Sequence, residues 1–111
     1  MISQPTSWSY IKEIASQSFG DMVKAVVDVE TAVIALGGEL HADEEALLLD
    51  EGSKQANLWG INLYPDLPLE ERIEFDSMIN VRPSHGNRSR SVDDPALRQR
   101  IITIVHQKIV D

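Results

Sequence analysis

From Ile73 to Arg82 the chain alternates. Ile73, Phe75, Ser77, Ile79 and Val81 hold one set of positions, and Glu74, Asp76, Met78, Asn80 and Arg82 hold the other. A period of two predicts a strand with one apolar and one polar face. Pro83, which has no N–H to give a neighbour, closes it, and Ser84-His85-Gly86-Asn87 follows as a turn. Upstream, Met22–Leu36 is rich in Val and too long for one strand, so it predicts a hairpin over 22–29 and 32–37, turning near Glu30-Thr31. Leu58–Tyr64, ended by Pro65, is a further strand. Helical spacing appears in three places. Trp8, Ile11, Ile14 and Ala15 predict a helix over about 7–18. Asp43 as cap and Gly52 as stop bound a two-turn helix. Asp94-Pro95 opens a last helix with the stripe Leu97, Ile101, Ile104, Val105, running to about Val110. The order α-ββ-α-ββ-α predicts a single α+β domain over 1–111. It is read as two layers, a four-stranded, mainly antiparallel sheet with helices on one face.

Composition leaves that picture intact: 111 residues, 42% hydrophobic and 25% charged, suit one soluble domain. No apolar run approaches a membrane span and the N-terminus has no leader-like pattern, so a cytoplasmic protein is expected. The absence of Cys removes thiolate chemistry and disulfides.

Charge adds a direction. The net charge of −8 divides into −10 over residues 1–71 and +2 over the rest, and all six Arg lie from Arg72 onward. Such an acidic chain disfavours nucleic acid, and its Arg-bearing end suits a small anion or an acidic protein surface instead. A homodimer is expected on two grounds: an open sheet has edges that need cover, and Arg82, Arg88 or Arg90 of one copy can meet Glu44 and Glu45 of another.

Three runs, GGELHAD at 37–43, LWGINLYPD at 58–66 and INVRPSHGNRS at 79–89, together with FGDMVKAVVDVE at 19–30, resemble a small uncharacterised bacterial protein family, a domain of unknown function. The resemblance spans nearly the whole chain and implies one intact domain. It brings no reaction, substrate or cofactor.

The candidate chemistry falls into three groups. On the polar face of the predicted last strand, Glu74, Asp76, Asn80 and Arg82 can be joined by Asn62 and Tyr64 or by Lys24 and Asp28, a set able to do acid–base work. The plainer reading is a sheet face decorated for water. His41, Asp43, Asp76 and His85 are metal-ligand types, but no HExxH or paired spacing links them, and neither a metal nor a cofactor is expected. Arg82, Ser84, Asn87, Arg88 and Ser89 suit an anion, against the plainer reading that these Arg pair with acids of the chain itself. The leading expectation is an interaction or anion-binding surface built from the Arg82–Arg90 loop and the Gly38–Asp43 segment, with Glu39, His41, Asp43, Asp76, Asn80, Arg82, His85, Asn87, Arg88 and Ser89 as its residues. The alternative is a small hydrolase or nuclease-like enzyme using Asp76, His41 or His85, with Arg82 and Arg88 holding an anionic substrate. One pocket gathering those groups would favour the enzyme.

Overall fold

A computed structural model describes residues 1–111. Its centre is an antiparallel sheet of β2 (Val23–Asp28), β3 (Val33–Leu36), β4 (Leu58–Leu63) and β5 (Ile73–Glu74), in the order β3-β2-β4-β5. Three helices, α1 (Trp8–Ser16), α2 (His41–Asp50) and α3 (Pro95–Lys108), pack around it. A short parallel pair, β1 (Thr6–Ser7) with β6 (Ile109–Val110), ties the two ends of the chain together. No helix is long and apolar enough to cross a membrane.

The α+β class, the three helices and the four-stranded antiparallel sheet are those the hydrophobic pattern predicts. The layering differs from the expectation of helices on one face only. Val23, Ala25 and Val27 of β2 and Trp59, Ile61 and Leu63 of β4 pack with α1 and α3 in the main core, through Trp8, Ile11, Ile101, Ile104 and Val105. Val26 and Leu58 point the other way and, with Ala35, pack against Leu48 of α2. The physical reason is visible in the strands: every residue of β4 is buried, and β2 is buried from Ala25 to Asp28. Strands covered on both faces need apolar residues at consecutive positions, which Ala25-Val26-Val27 supplies.

The expected strand over 73–82 is also corrected. Only Ile73–Glu74 pairs with β4, and the chain then turns through a 3₁₀ segment at Met78–Asn80, opened by Ser77, whose Oγ accepts the Ile79 N–H at 3.3 Å. Phe75 and Ile79, which alternation places on one face, pack against opposite cores. The missing strand is replaced by side chains. Asn80, fully buried, accepts the Gly60 N–H through Oδ1 at 2.8 Å and donates through Nδ2 to the Gly60 carbonyl at 2.9 Å. Arg82 donates through Nη2 to the Leu58 carbonyl at 2.6 Å. On the opposite edge, Ile34 of β3 exchanges two main-chain hydrogen bonds with Ile2.

The hairpin turn lies where predicted despite lacking Gly or Asn. Asp28 caps it, Oδ1 accepting the N–H groups of Glu30 (2.9 Å) and Thr31 (3.1 Å), while Ala32 takes the left-handed conformation, φ 59°. Burial pushes the Asp28 carboxyl up, but those bonds and a 2.6 Å hydrogen bond from Ser53 outweigh it and hold its pKa below the ordinary value. Helix α2 starts three residues earlier than the Asp43 cap implies. Asp43 instead sits in the first turn and accepts the Leu40 N–H at 3.2 Å, which places His41, Glu44 and Leu48 on the face toward the sheet.

Candidate functional site

Because α2 covers the sheet's second face, Asn62 there is buried and Lys24 half-buried, while Glu74 at the edge stays exposed. Register aligns Lys24 with Asn62 and Asn62 with Glu74, a polar row across β2, β4 and β5. Above the row lies the first turn of α2, and beside it the segment 76–79. Together they enclose a pocket of about 230 Å³ lined by Lys24, Leu40, His41, Ala42, Asn62, Asp76, Ser77, Met78, Ile79 and Arg90. A larger hollow of about 460 Å³ lies between the N-terminal segment and α1, but no charged side chain lines it.

Two neighbours explain why His41 can sit so close to the sheet. Gly60 has no side chain: a Cβ there would lie 2.5 Å from Cβ and Oγ of Ser77 and 3.2 Å from Cδ2 of His41. Nε2 of His41 is 2.8 Å from the Ile61 carbonyl, which can only accept, so the proton resides on Nε2 and the neutral ring presents Nδ1 as an acceptor. Burial holds the His41 pKa below its ordinary value and Lys24 adds to this, while the Ile61 hydrogen bond, Asp76 and the adjacent Asn62 oppose it.

Asn62 is oriented equally firmly. Nδ2 donates to Oε1 of Glu74 (2.8 Å) and to the Asp76 carbonyl (3.2 Å), so Oδ1 lies on the other side of the amide, where it is buried and has no hydrogen-bond partner. Tyr64 donates to the same Glu74 oxygen at 3.1 Å, and burial followed by this contact raises the Tyr64 pKa. At the rim, Arg90 donates through Nε to Oδ1 of Asp76 at 2.6 Å and makes no other side-chain hydrogen bond. Lys24 has no carboxylate partner, and its ammonium stands 5.1 Å from the Phe19 ring.

The expected site residues divide among five places. His41 and Asp76 share the pocket, joined by Arg90. Arg82 and His85 line a separate cleft of about 400 Å³ with Glu45 and Ser84. There Arg82 stacks over Trp59 at 4.9 Å and pairs with Glu45 at 3.5 Å within the same chain. Asn80 and Asn87 are internal. Nδ2 of Asn87 donates to the carbonyls of Asn80, Ser89 and Ser91, and its Oδ1 accepts the Asp93 N–H. Arg88 and Ser89 flank an exposed turn held by Asp93, which accepts the Arg88 N–H and the Ser89 hydroxyl. Glu39 is exposed, and Asp43 is engaged with Leu40. No three His, Asp or Glu side chains converge as a metal cluster.

Glu44, offered above as a surface partner for Arg, is 3% exposed. Oε2 accepts the Gly38 N–H at 3.4 Å and Oε1 has no partner, and burial pushes the carboxyl up to about 9. Lys24, Asn62, Ser77 and Arg90 are the polar pocket residues outside the ten expected, Arg90 being the last residue of the expected Arg82–Arg90 loop. Lys24 and Asn62 were legible as members of the polar face, whereas Ser77 sits on the apolar side of the alternation and gave no signal.

The chain belongs to the family described as Protein of unknown function (DUF5674), whose model matches residues 1–108. No curated protein and no solved structure matches it.

Proposed function

We propose that the protein binds a small anionic metabolite in the pocket between the first turn of α2 and the β4–β5 edge. The observation that carries this reading is the pair of cations at the rim, Lys24 without a carboxylate partner and Arg90 bonded only through Nε, over a back wall of neutral His41 and Asn62. The first turn of α2 lines the same pocket, and the positive end of a helix dipole adds to the attraction for negative charge. The volume, about 230 Å³, lies below the roughly 300–1,000 Å³ of sites for drug-sized molecules and suits a compound of metabolite size. The pocket brings together the two segments expected to act jointly, through His41 on one side and Arg90 on the other. Arg82 and Arg88 stand outside it.

The test is titration of ¹⁵N-labelled protein with acetate, propionate, lactate and inorganic phosphate. Saturable shifts are expected at His41, Asn62 and Ala42, weakened about tenfold or more in Lys24→Met and Arg90→Met, since charge-assisted hydrogen bonds contribute roughly 1.5–3 kcal/mol each. Absence of saturable shifts with every anion, or unchanged binding by both variants, overturns the reading.

A further inference from the structure

We infer that the ligand is a small monocarboxylate that also carries a hydroxyl or ammonium donor, and that Asn62 Oδ1 and His41 Nδ1 receive that donor. This rests on the anion-binding reading above and goes beyond it by naming the substrate class.

Asn62 and His41 are neighbours in the pocket lining, and Asn62 Oδ1 has no hydrogen-bond partner. Asn62 is 6% exposed, and its Oδ1 is buried and unpartnered. The amide cannot be turned to relieve this, because Nδ2 already faces two acceptors, the Glu74 carboxylate and the Asp76 carbonyl. His41 is 9% exposed, and the Ile61 carbonyl fixes its proton on Nε2, leaving the lone pair on Nδ1. Buried polar atoms are nearly always paired, so an orphan acceptor beside a second acceptor, in a pocket, marks where a donor belongs. Neither Lys24 nor Arg90 supplies it.

The charge count then selects the anion. Lys24 and Arg90 contribute two positive charges, and Asp76, bonded to Arg90, takes away one. A net charge near +1 balances one carboxylate and leaves a dianionic phosphate overcharged. A carboxylate at the rim and a donor at the back, in a pocket of about 230 Å³, describe a hydroxy or amino acid of few carbons.

The experiment compares three molecules of nearly equal size: propionate, which has no donor, L-lactate, with a hydroxyl, and L-alanine, with an ammonium. One good hydrogen bond corresponds to about tenfold in affinity, so lactate or alanine should bind about tenfold or more tightly than propionate to the wild type. Asn62→Ala should bring the three within about threefold of one another, whereas Glu74→Gln, which still offers Asn62 Nδ2 an acceptor, should preserve the preference. Should Asn62→Ala fail to fold, the ¹⁵N shift of His41 Nδ1 in the wild type serves instead, moving toward the hydrogen-bonded value with lactate or alanine and not with propionate. Equal binding of all three overturns this inference and leaves the anion reading standing, while binding of none removes both. An imidazolium at pH 7 in the free protein, donating from Nδ1 to Asn62, also overturns it.

Discussion

Replacing Glu44 with Gln should change how the protein's stability depends on pH. The carboxyl is buried with one oxygen unpartnered, and its pKa rises from 4.5 to about 9 on folding. Its contribution is therefore fully present below pH 4.5 and is lost progressively as the pH climbs toward 9, because in that window folding must bring a proton onto Glu44. One proton taken up changes stability by about 1.36 kcal/mol per pH unit. Between pH 5.5 and pH 8 the wild type should thus lose about 3 kcal/mol through this residue, and Glu44→Gln should not. Urea denaturation of both proteins at several pH values isolates the effect, because the difference between the two curves cancels His41. That residue acts oppositely: its depressed pKa gives stability that is present above 6.5 and lost as the pH falls. The amide adds a buried N–H whose cost is constant with pH, which shifts one curve without tilting it. Parallel stability curves across pH 5.5–8 would refute the assignment of a protonated Glu44.

Asn80→Ala should destabilise the fold by about 3 kcal/mol or more, since it orphans both main-chain groups of Gly60, while Arg88→Ala at the exposed turn should cost under about 0.5 kcal/mol; equal denaturant midpoints would contradict this. Ile101→Ala, in the core between α3 and the sheet, should cost about 2–5 kcal/mol, measured the same way. Gly60→Ala should cost about 1–3 kcal/mol and displace His41, seen as altered imidazole shifts, because its Cβ meets Ser77 at 2.5 Å. Long-range ¹H–¹⁵N spectra at pH 7 should show neutral His41 with its proton on Nε2, and a proton on Nδ1 instead would break the described Ile61 contact.

Much of this architecture was legible in the sequence. Asp94-Pro95 and Gly52 mark helix ends in the way capping chemistry requires, and Asp94 does accept the N–H of Ala96. The hairpin was readable from its Val-rich arms. The last strand was misread because Ile73 to Val81 satisfies alternation by residue type, while the actual determinants are Ser77 and Asn80, whose bonds to main chain leave no periodic trace. The same holds for Asn87. The polar row of Lys24, Asn62 and Glu74 follows from alternation, but the pocket also needs a roof, and which face α2 covers depends on contacts between residues far apart in sequence. Glu44 hid in the same way, since a charged residue in a helix's first turn ordinarily faces water.

The use of Asn80 and Arg82 to finish the outer side of β4 has a consequence for how the protein meets other chains. A strand at that position would itself expose a fresh row of N–H and C=O groups, and a further polypeptide could add to it. A carboxamide and a guanidinium end the ladder instead, because neither side chain carries its own outward main-chain repeat. With Ile2 engaged on β3, both long sides of the sheet are closed to strand addition near their middles, without a flanking helix or a barrel. Protection of that edge is thereby concentrated in two side chains, so a substitution at Asn80 or Arg82 that still permits folding should leave the edge open to edge-to-edge association.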